Sequence, residues 1–338
     1  MVGFVRPVCR RHDYNGPDRL RPAAARGMRA SAIRPLASHP VVRRCRWISI
    51  PVSLRYAAQM TNRQPVKLLN ILVALVVAYA IFCGLVFAFQ ERLLYFPLTL
   101  APDELAMLVR DGNLRPWRPE SLHAYLRQPE GRSARATVVV FHGNAGTALH
   151  RDMFTEALVP LGFRVILAEY PGYAGKPGSL GEASLVADAV ATLRAAREDF
   201  PGPLIGWGES LGAGVLGAAL AGNPGLVDGI VLMTPWDSLA DVASHHYPYL
   251  PVRWMLRDRY DTVANLQDFP GPAAVLLATE DQVIPARFGH RLFDALSGRK
   301  ILHIFPGADH NSWPFDPSQR WWDEVMRAVS PGAGRSGD

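Results

Sequence analysis

Residues 71–89, ILVALVVAYAIFCGLVFAF, form 19 consecutive positions without a charge, and this run constrains the chain more than any other feature. As a helix it covers about 28 Å at 1.5 Å per residue, close to the roughly 30 Å of bilayer hydrocarbon. A single-pass membrane helix is expected over residues 67–90. A cleaved leader competes with that reading, because Ala78-Tyr79-Ala80 has the small-x-small form of a processing site. Cutting there would strand the apolar stretch Ile81 to Phe89 at the new terminus, which disfavours it. Cys83 follows Phe82, whereas a lipid-modified cysteine wants a small residue before it. Arg63 and Lys67 precede the run, while Glu91 and Arg92 cancel after it. The N-terminus is therefore expected in the cytoplasm and the downstream domain on the extracytoplasmic side, the periplasm in a bacterium.

The overall charge of +6 resembles that of a nucleic-acid binder until it is placed along the chain. Residues 1–67 hold 14 of the 36 Lys and Arg but only Asp13 and Asp18 among the acids, leaving 22 basic against 28 acidic residues beyond them. A folded part that is net acidic offers no basic stripe for a phosphate backbone, and nucleic acid is excluded as a partner. Residues 1–66, rich in Arg, Ala and Pro, are expected to be disordered. They read as a basic tail, a targeting segment or, the favoured reading, an upstream extension with the true start at Met28 or Met60. Arg43-Arg44 is a weak twin-arginine candidate, too far upstream of the apolar run. The three cysteines, Cys9, Cys45 and Cys83, all precede residue 91, so the downstream domain has neither a disulfide framework nor a cysteine metal site.

Beyond residue 90 short apolar runs alternate with longer amphipathic stretches, the pattern of an α/β domain. One domain over 91–330, with a flexible tail at 331–338, is expected. Strands are predicted at Ala136 to Phe141, Phe163 to Ala168, Pro203 to Trp207, Gly229 to Thr234, Ala273 to Ala278 and Lys300 to Phe305. These are continuous apolar runs, as strands covered on both faces require. The clearest helix spans Leu180 to Arg197, with Val186, Val190 and Leu193 as its sheet-facing stripe. Leu93 to Phe96 and Leu122 to Leu126 are candidate antiparallel opening strands.

The chemistry is carried by loops that follow these strands. Gly208-Glu209-Ser210-Leu211-Gly212 sits between the strand PLIGW and a small-residue helix, the strand-turn-helix setting of a nucleophile elbow. Serine needs a base, and that base needs an acid to hold its tautomer. His310 follows the strand ILHIF and Asp281 follows AAVLLA. The order Ser210, Asp281, His310 is the nucleophile, acid, histidine order of one triad fold and not of the other two. Asp237, Glu280 and Asp309 are alternative acids, of which Asp237 reads better as a helix cap. The turn His142-Gly143-Asn144-Ala145-Gly146 follows ATVVVF. The backbone N–H groups of Asn144 and Leu211 are the expected oxyanion donors, with His142 bracing the loop.

HGNAG, Tyr170-Pro171-Gly172-Tyr173, GESLG, TEDQVIP and GADHN, in this order, resemble the α/β hydrolase superfamily over residues 90–330. QERLLYFP at Gln90 to Pro97 is similar to the segment that follows the helix of its membrane-anchored members. The resemblance implies an α/β hydrolase fold: a mostly parallel central sheet with helices on both faces and a small lid, here preceded by one transmembrane helix. It also implies cleavage of carboxylic esters or thioesters, with a small-molecule or lipid-like ester as substrate and no cofactor. Serine aminopeptidases and lysophospholipases belong to the same superfamily, and the motifs do not separate them. Haloalkane dehalogenases share the HGN opening but use a carboxylate nucleophile, against which Ser210 argues.

Pro235 to Pro270 leaves room for one or two short lid helices. Its aromatic residues suit either an acyl group or plain packing, and Trp236, with Tyr173 of the YPGY turn, is a candidate to line the substrate site. His245-His246 is not a metal pair, since adjacent histidines do not share a helix face. A peptidase would want an acidic subsite for the substrate amine, for which Glu169 and Glu209 are the candidates. A catalytically silent binding module of the same fold is the remaining alternative.

Overall fold

Val138 and Val140 pack into one apolar cluster while Val139 and Phe141 pack into another, so the charge-free run TVVVF is buried on both faces of a sheet. The same alternation recurs in neighbouring strands, and it makes continuous apolar runs, not alternating ones, the sequence mark of this core. The computed structural model describes residues 64–331, with side chains from Val66 onward. The expectations for residues 1–63 and 332–338 lie outside the described residues.

In chain order the elements are α1 (Gln64–Leu94), β1 (Phe96–Pro97), α2 (Pro102–Asp111), β2 (Arg115–Trp117), β3 (Ala124–Arg127), β4 (Thr137–Phe141), β5 (Ala145–Gly146), α3 (Asp152–Leu158), β6 (Arg164–Ala168), α4 (Glu182–Asp199), β7 (Leu204–Glu209), α5 (Leu211–Leu220), β8 (Gly229–Met233), α6 (Leu239–His246), α7 (Val252–Met255), α8 (Thr262–Leu266), β9 (Ala273–Ala278), α9 (Ala286–Ala295), β10 (Lys300–Phe305) and α10 (Trp321–Val329). The main sheet has eight strands in the order β10-β9-β8-β7-β4-β6-β3-β2. All neighbours are parallel except β2 with β3 and β3 with β6. From β4 the chain winds to β6 on one side and to β7 on the other. The carboxyl ends of β4 and β7 are therefore the switch point at which open α/β sheets place their sites.

Several sequence expectations shift by a residue or a turn. Helix α1 starts at Gln64 and runs through Leu94, beyond the expected 67–90, so Leu93 and Leu94 are helical and only Phe96–Pro97 is strand. Its Val66–Leu94 stretch is long and apolar enough to cross a membrane. The opening antiparallel pair is β2 with β3. In α4 the fully buried face is Leu185, Ala189, Leu193 and Ala196; Val186 and Val190 pack at its margin. The lid contains three short helices, α6 to α8, one more than expected at most.

Candidate active site

Ser210 follows β7 directly, at the N-cap of α5, in a backbone conformation of φ 54°, ψ −113°, strained for a residue with a side chain. The flanking glycines make this turn possible. A Cβ on Gly208 would come within 2.5 Å of the Ala213 Cα, and one on Gly212 within 2.0 Å of the Phe141 carbonyl oxygen. Both obstacles are backbone, so neither position admits a larger residue. The Ser210 N–H donates to the Met233 carbonyl at 2.8 Å, tying the elbow to β8. Leu211 opens α5, and its N–H is one of the first-turn donors that no intrahelical carbonyl can satisfy.

The loops after β9 and β10 bring two more residues to the same sheet edge. His310 Nε2 lies 3.1 Å from Ser210 Oγ, and His310 Nδ1 lies 2.7 Å from Asp281 Oδ2. The Asp281 side chain is only 1% exposed. Its other oxygen accepts N–H bonds from Val283 at 2.8 Å and Ile284 at 2.7 Å. With the carboxylate accepting at Nδ1, the imidazole carries its proton there and turns its Nε2 lone pair toward the serine hydroxyl.

The other acids are engaged elsewhere. Asp237 accepts from the Ser238 N–H and from Arg291. Asp309 accepts the N–H groups of Asn311 and Ser312, both at 2.7 Å, and these backbone donors hold its carboxyl below the usual carboxylate range. Glu280 is exposed.

The loop after β4 is braced from beneath. His142 faces the Gly143 carbonyl with Nδ1 at 2.7 Å and Glu169 with Nε2 at 2.9 Å. Glu169 also accepts the Ala148 N–H at 2.9 Å. Tyr173, expected to line the substrate site, is fully buried and donates its hydroxyl to the Asn144 carbonyl at 2.9 Å. Trp236, the other lining candidate, is also buried; it donates to the Tyr260 carbonyl at 3.0 Å and packs against Gly214 of α5. Both aromatic rings face the interior because each polar tip finds its acceptor there. Tyr173 thereby shapes the Asn144 turn.

Two features were missed in the sequence. Arg151 grips Glu209 with two nitrogens at 2.6 and 2.9 Å, linking the turn after β5 to the elbow. Lys176, buried, donates to the carbonyls of Leu122 and Glu169 and to Asp188, each within 2.8 Å; burial lowers its pKa despite that carboxylate. Arg151 lies 58 residues from its partner, and no local pattern marks such a pair.

Residues 132–257 match the family model described as serine aminopeptidase, S33. An uncharacterised protein of Mycobacterium tuberculosis is 34% identical over 237 residues, which cover 66% of this chain and 80% of that protein. The lysophosphatidylserine lipase ABHD12 of Danio rerio is 29% identical over 198 residues, 51% of this chain and 52% of the lipase. Protein bem46 of Schizosaccharomyces pombe is 26% identical over 250 residues, 68% of this chain and 82% of that protein.

Proposed function

The chain belongs to the α/β hydrolase superfamily, and from that premise we propose that it is a membrane-anchored serine hydrolase that cleaves carboxylic ester or thioester bonds through an acyl-enzyme on Ser210. The continuous path from Asp281 through His310 to Ser210, with contacts of 2.7 and 3.1 Å, carries this reading. Ser210 Oγ attacks the carbonyl carbon as His310 Nε2 takes its proton. The oxyanion is held by the N–H groups of Leu211 and Asn144, donors of a type worth about 2.7–4 kcal/mol each in the barrier. His310 then returns the proton to the leaving alcohol or thiol. Water, activated by the same imidazole, releases the acid and restores the serine. Asp281 holds the tautomer and offsets the imidazolium charge.

Ester cleavage is favoured over aminopeptidase action by the state of the two acidic candidates. Glu169 is bonded to His142 and the Ala148 N–H, and Glu209 to Arg151, so neither is free to bind a substrate amine. The lipase name of the ABHD12 relative supports a lipid-like ester as the substrate class. The helix Val66–Leu94 supports anchoring, with the catalytic domain on the extracytoplasmic side by the charge bias.

A fluorophosphonate should label the full-length protein at Ser210. Ser210→Ala should abolish both labelling and hydrolysis of acyl esters of graded chain length. Labelling that survives the substitution removes the proposal, a folded protein inert to the probe indicates a silent binding module, and faster turnover of aminoacyl amides than of esters restores the peptidase reading.

A further inference from the structure

Trp254 is 88% exposed, and it is the one exposed tryptophan among the described residues. It lies on α7, within a lid stretch fastened to the end of the apolar helix. Gln90 Nε2 donates to the Met255 carbonyl at 3.3 Å, and Gln90 Oε1 accepts the Arg257 N–H at 2.9 Å. Arg257 in turn donates to the Phe87 carbonyl at 3.2 Å, with its guanidinium 4.6 Å from the centre of the Phe87 ring. It also sits 3.6 Å from the Glu91 carboxylate.

These bonds set a depth. Gln90 is the first polar residue after the charge-free run 71–89, so it marks the level at which hydrocarbon gives way to headgroups if that run crosses a bilayer. Met255 and Arg257 are bonded to Gln90 itself, and Trp254 is the neighbour of Met255. A tryptophan at this depth is where bilayer-spanning proteins concentrate theirs, because the indole has an apolar body and one N–H for the wet side. Arg257 lays its guanidinium over the Phe87 ring within reach of the Glu91 carboxylate, a cation between an aromatic face and an acid at the same level of the helix. Tyr249, 61% exposed, belongs to the same segment.

We infer that the lid face bearing Trp254 is a second membrane contact, inserted into the leaflet from which α1 emerges, and that the substrate is an amphiphile taken from that leaflet. The inference rests on the hydrolase reading for its substrate and on the membrane reading of α1 for its depth. The fastening continues inward. Tyr95, just past α1, donates to Asp258 at 2.7 Å and lies 3.0 Å from the Tyr260 hydroxyl. The Tyr260 ring abuts Gly214 of α5, the helix that opens immediately after Ser210. The bilayer-level segment and the nucleophile's helix are thus joined through two tyrosines.

The test uses the full-length protein in phosphatidylcholine vesicles with and without bromine on the acyl chains near the carbonyls. Brominated lipid should quench wild-type tryptophan emission, and Trp254→Phe should remove more than half of the quenched component. Trp254→Ser should lower turnover of a vesicle-borne lysophospholipid about tenfold while hydrolysis of water-soluble p-nitrophenyl acetate stays within twofold. Quenching that is the same in wild type and Trp254→Phe overturns the inference and leaves Trp254 facing water or a protein partner. Quenching that depends on Trp254, with both substrates equally affected by Trp254→Ser, keeps the membrane contact but overturns the amphiphile claim. Fluorophosphonate labelling of Ser210 reports separately on the hydrolase reading.

Discussion

Replacing Asp281 by Asn separates the orienting role of this carboxylate from its structural one. One Asp281 oxygen accepts the Val283 and Ile284 N–H groups, and an Asn side-chain carbonyl preserves both bonds. The amide nitrogen is then forced toward His310 Nδ1, 2.7 Å from the present oxygen. Two donors cannot face each other, so the imidazole moves its proton to Nε2 and presents N–H, not a lone pair, to Ser210. The equivalent change in a serine protease lowers kcat about 10⁴-fold, roughly 5.5 kcal/mol in the barrier. The fold should lose only about 1 kcal/mol, which for a domain of this size is a Tm shift of about 2–4 °C. Asp237→Asn removes a partner of Arg291 away from the imidazole and should cost less than about tenfold. Both kcat values are measured on a soluble p-nitrophenyl ester, with Tm by circular dichroism. If Asp237→Asn proves the more damaging while both variants melt alike, the reasoning from tautomer to rate fails at this site.

Further outcomes follow from the same contacts. Gly212→Ala should destabilise the protein by about 3 kcal/mol or more in urea unfolding, because its Cβ would lie 2.0 Å from the backbone oxygen of Phe141. Arg151→Met should leave Glu209 unpaired beside the elbow, costing about 2 kcal/mol of stability and lowering kcat more than it raises KM. Burial raises the pKa values of Tyr95, Tyr170, Tyr173 and Tyr260 above the ordinary 10. Their folded-state pKa values lie above the unfolded one, so this stability is complete below pH 10 and falls above it by about 1.4 kcal/mol per pH unit for each tyrosine. Lys176, lowered by burial, acts in the opposite sense but is one group against four; urea midpoints that do not fall between pH 9 and 11 contradict the assignment. An alkaline phosphatase fused to the C-terminus should be active in a bacterial host, and an inactive fusion with a fluorescent cytoplasmic reporter at the same point would reverse the proposed orientation.

What was legible in the sequence was whatever local chemistry encodes. Ser210, Asp281 and His310 each follow an apolar run by a few residues, and a buried parallel strand followed by a polar loop is a local pattern. The rest depends on partners distant in sequence. Tyr173 and Trp236 are aromatic residues near the site, but the acceptors that turn their tips inward are carbonyls at Asn144 and Tyr260. The sheet-facing stripe of α4 was displaced because alanines and Thr192 bury as well as valines when a neighbouring helix is close. The bracing of the elbow by Arg151 and the burial of Lys176 have no periodic signature at all.

Helix α5 has a consequence for how the protein is made. Its sequence LGAGVLGAAL is buried along nearly its whole length, and it holds glycines where Trp236, Tyr260 and Thr262 press against it. Between Glu209 and Asp228 the chain carries no charge, so in the proposed extracytoplasmic topology a second apolar stretch would enter the translocation channel after α1. At 10 residues, the apolar helix is half the length needed to span the hydrocarbon. Glycine and alanine in place of leucine weaken its pull toward lipid further. In that topology the residues that let α5 sit tightly beneath the lid would also let it pass through the channel instead of stopping there.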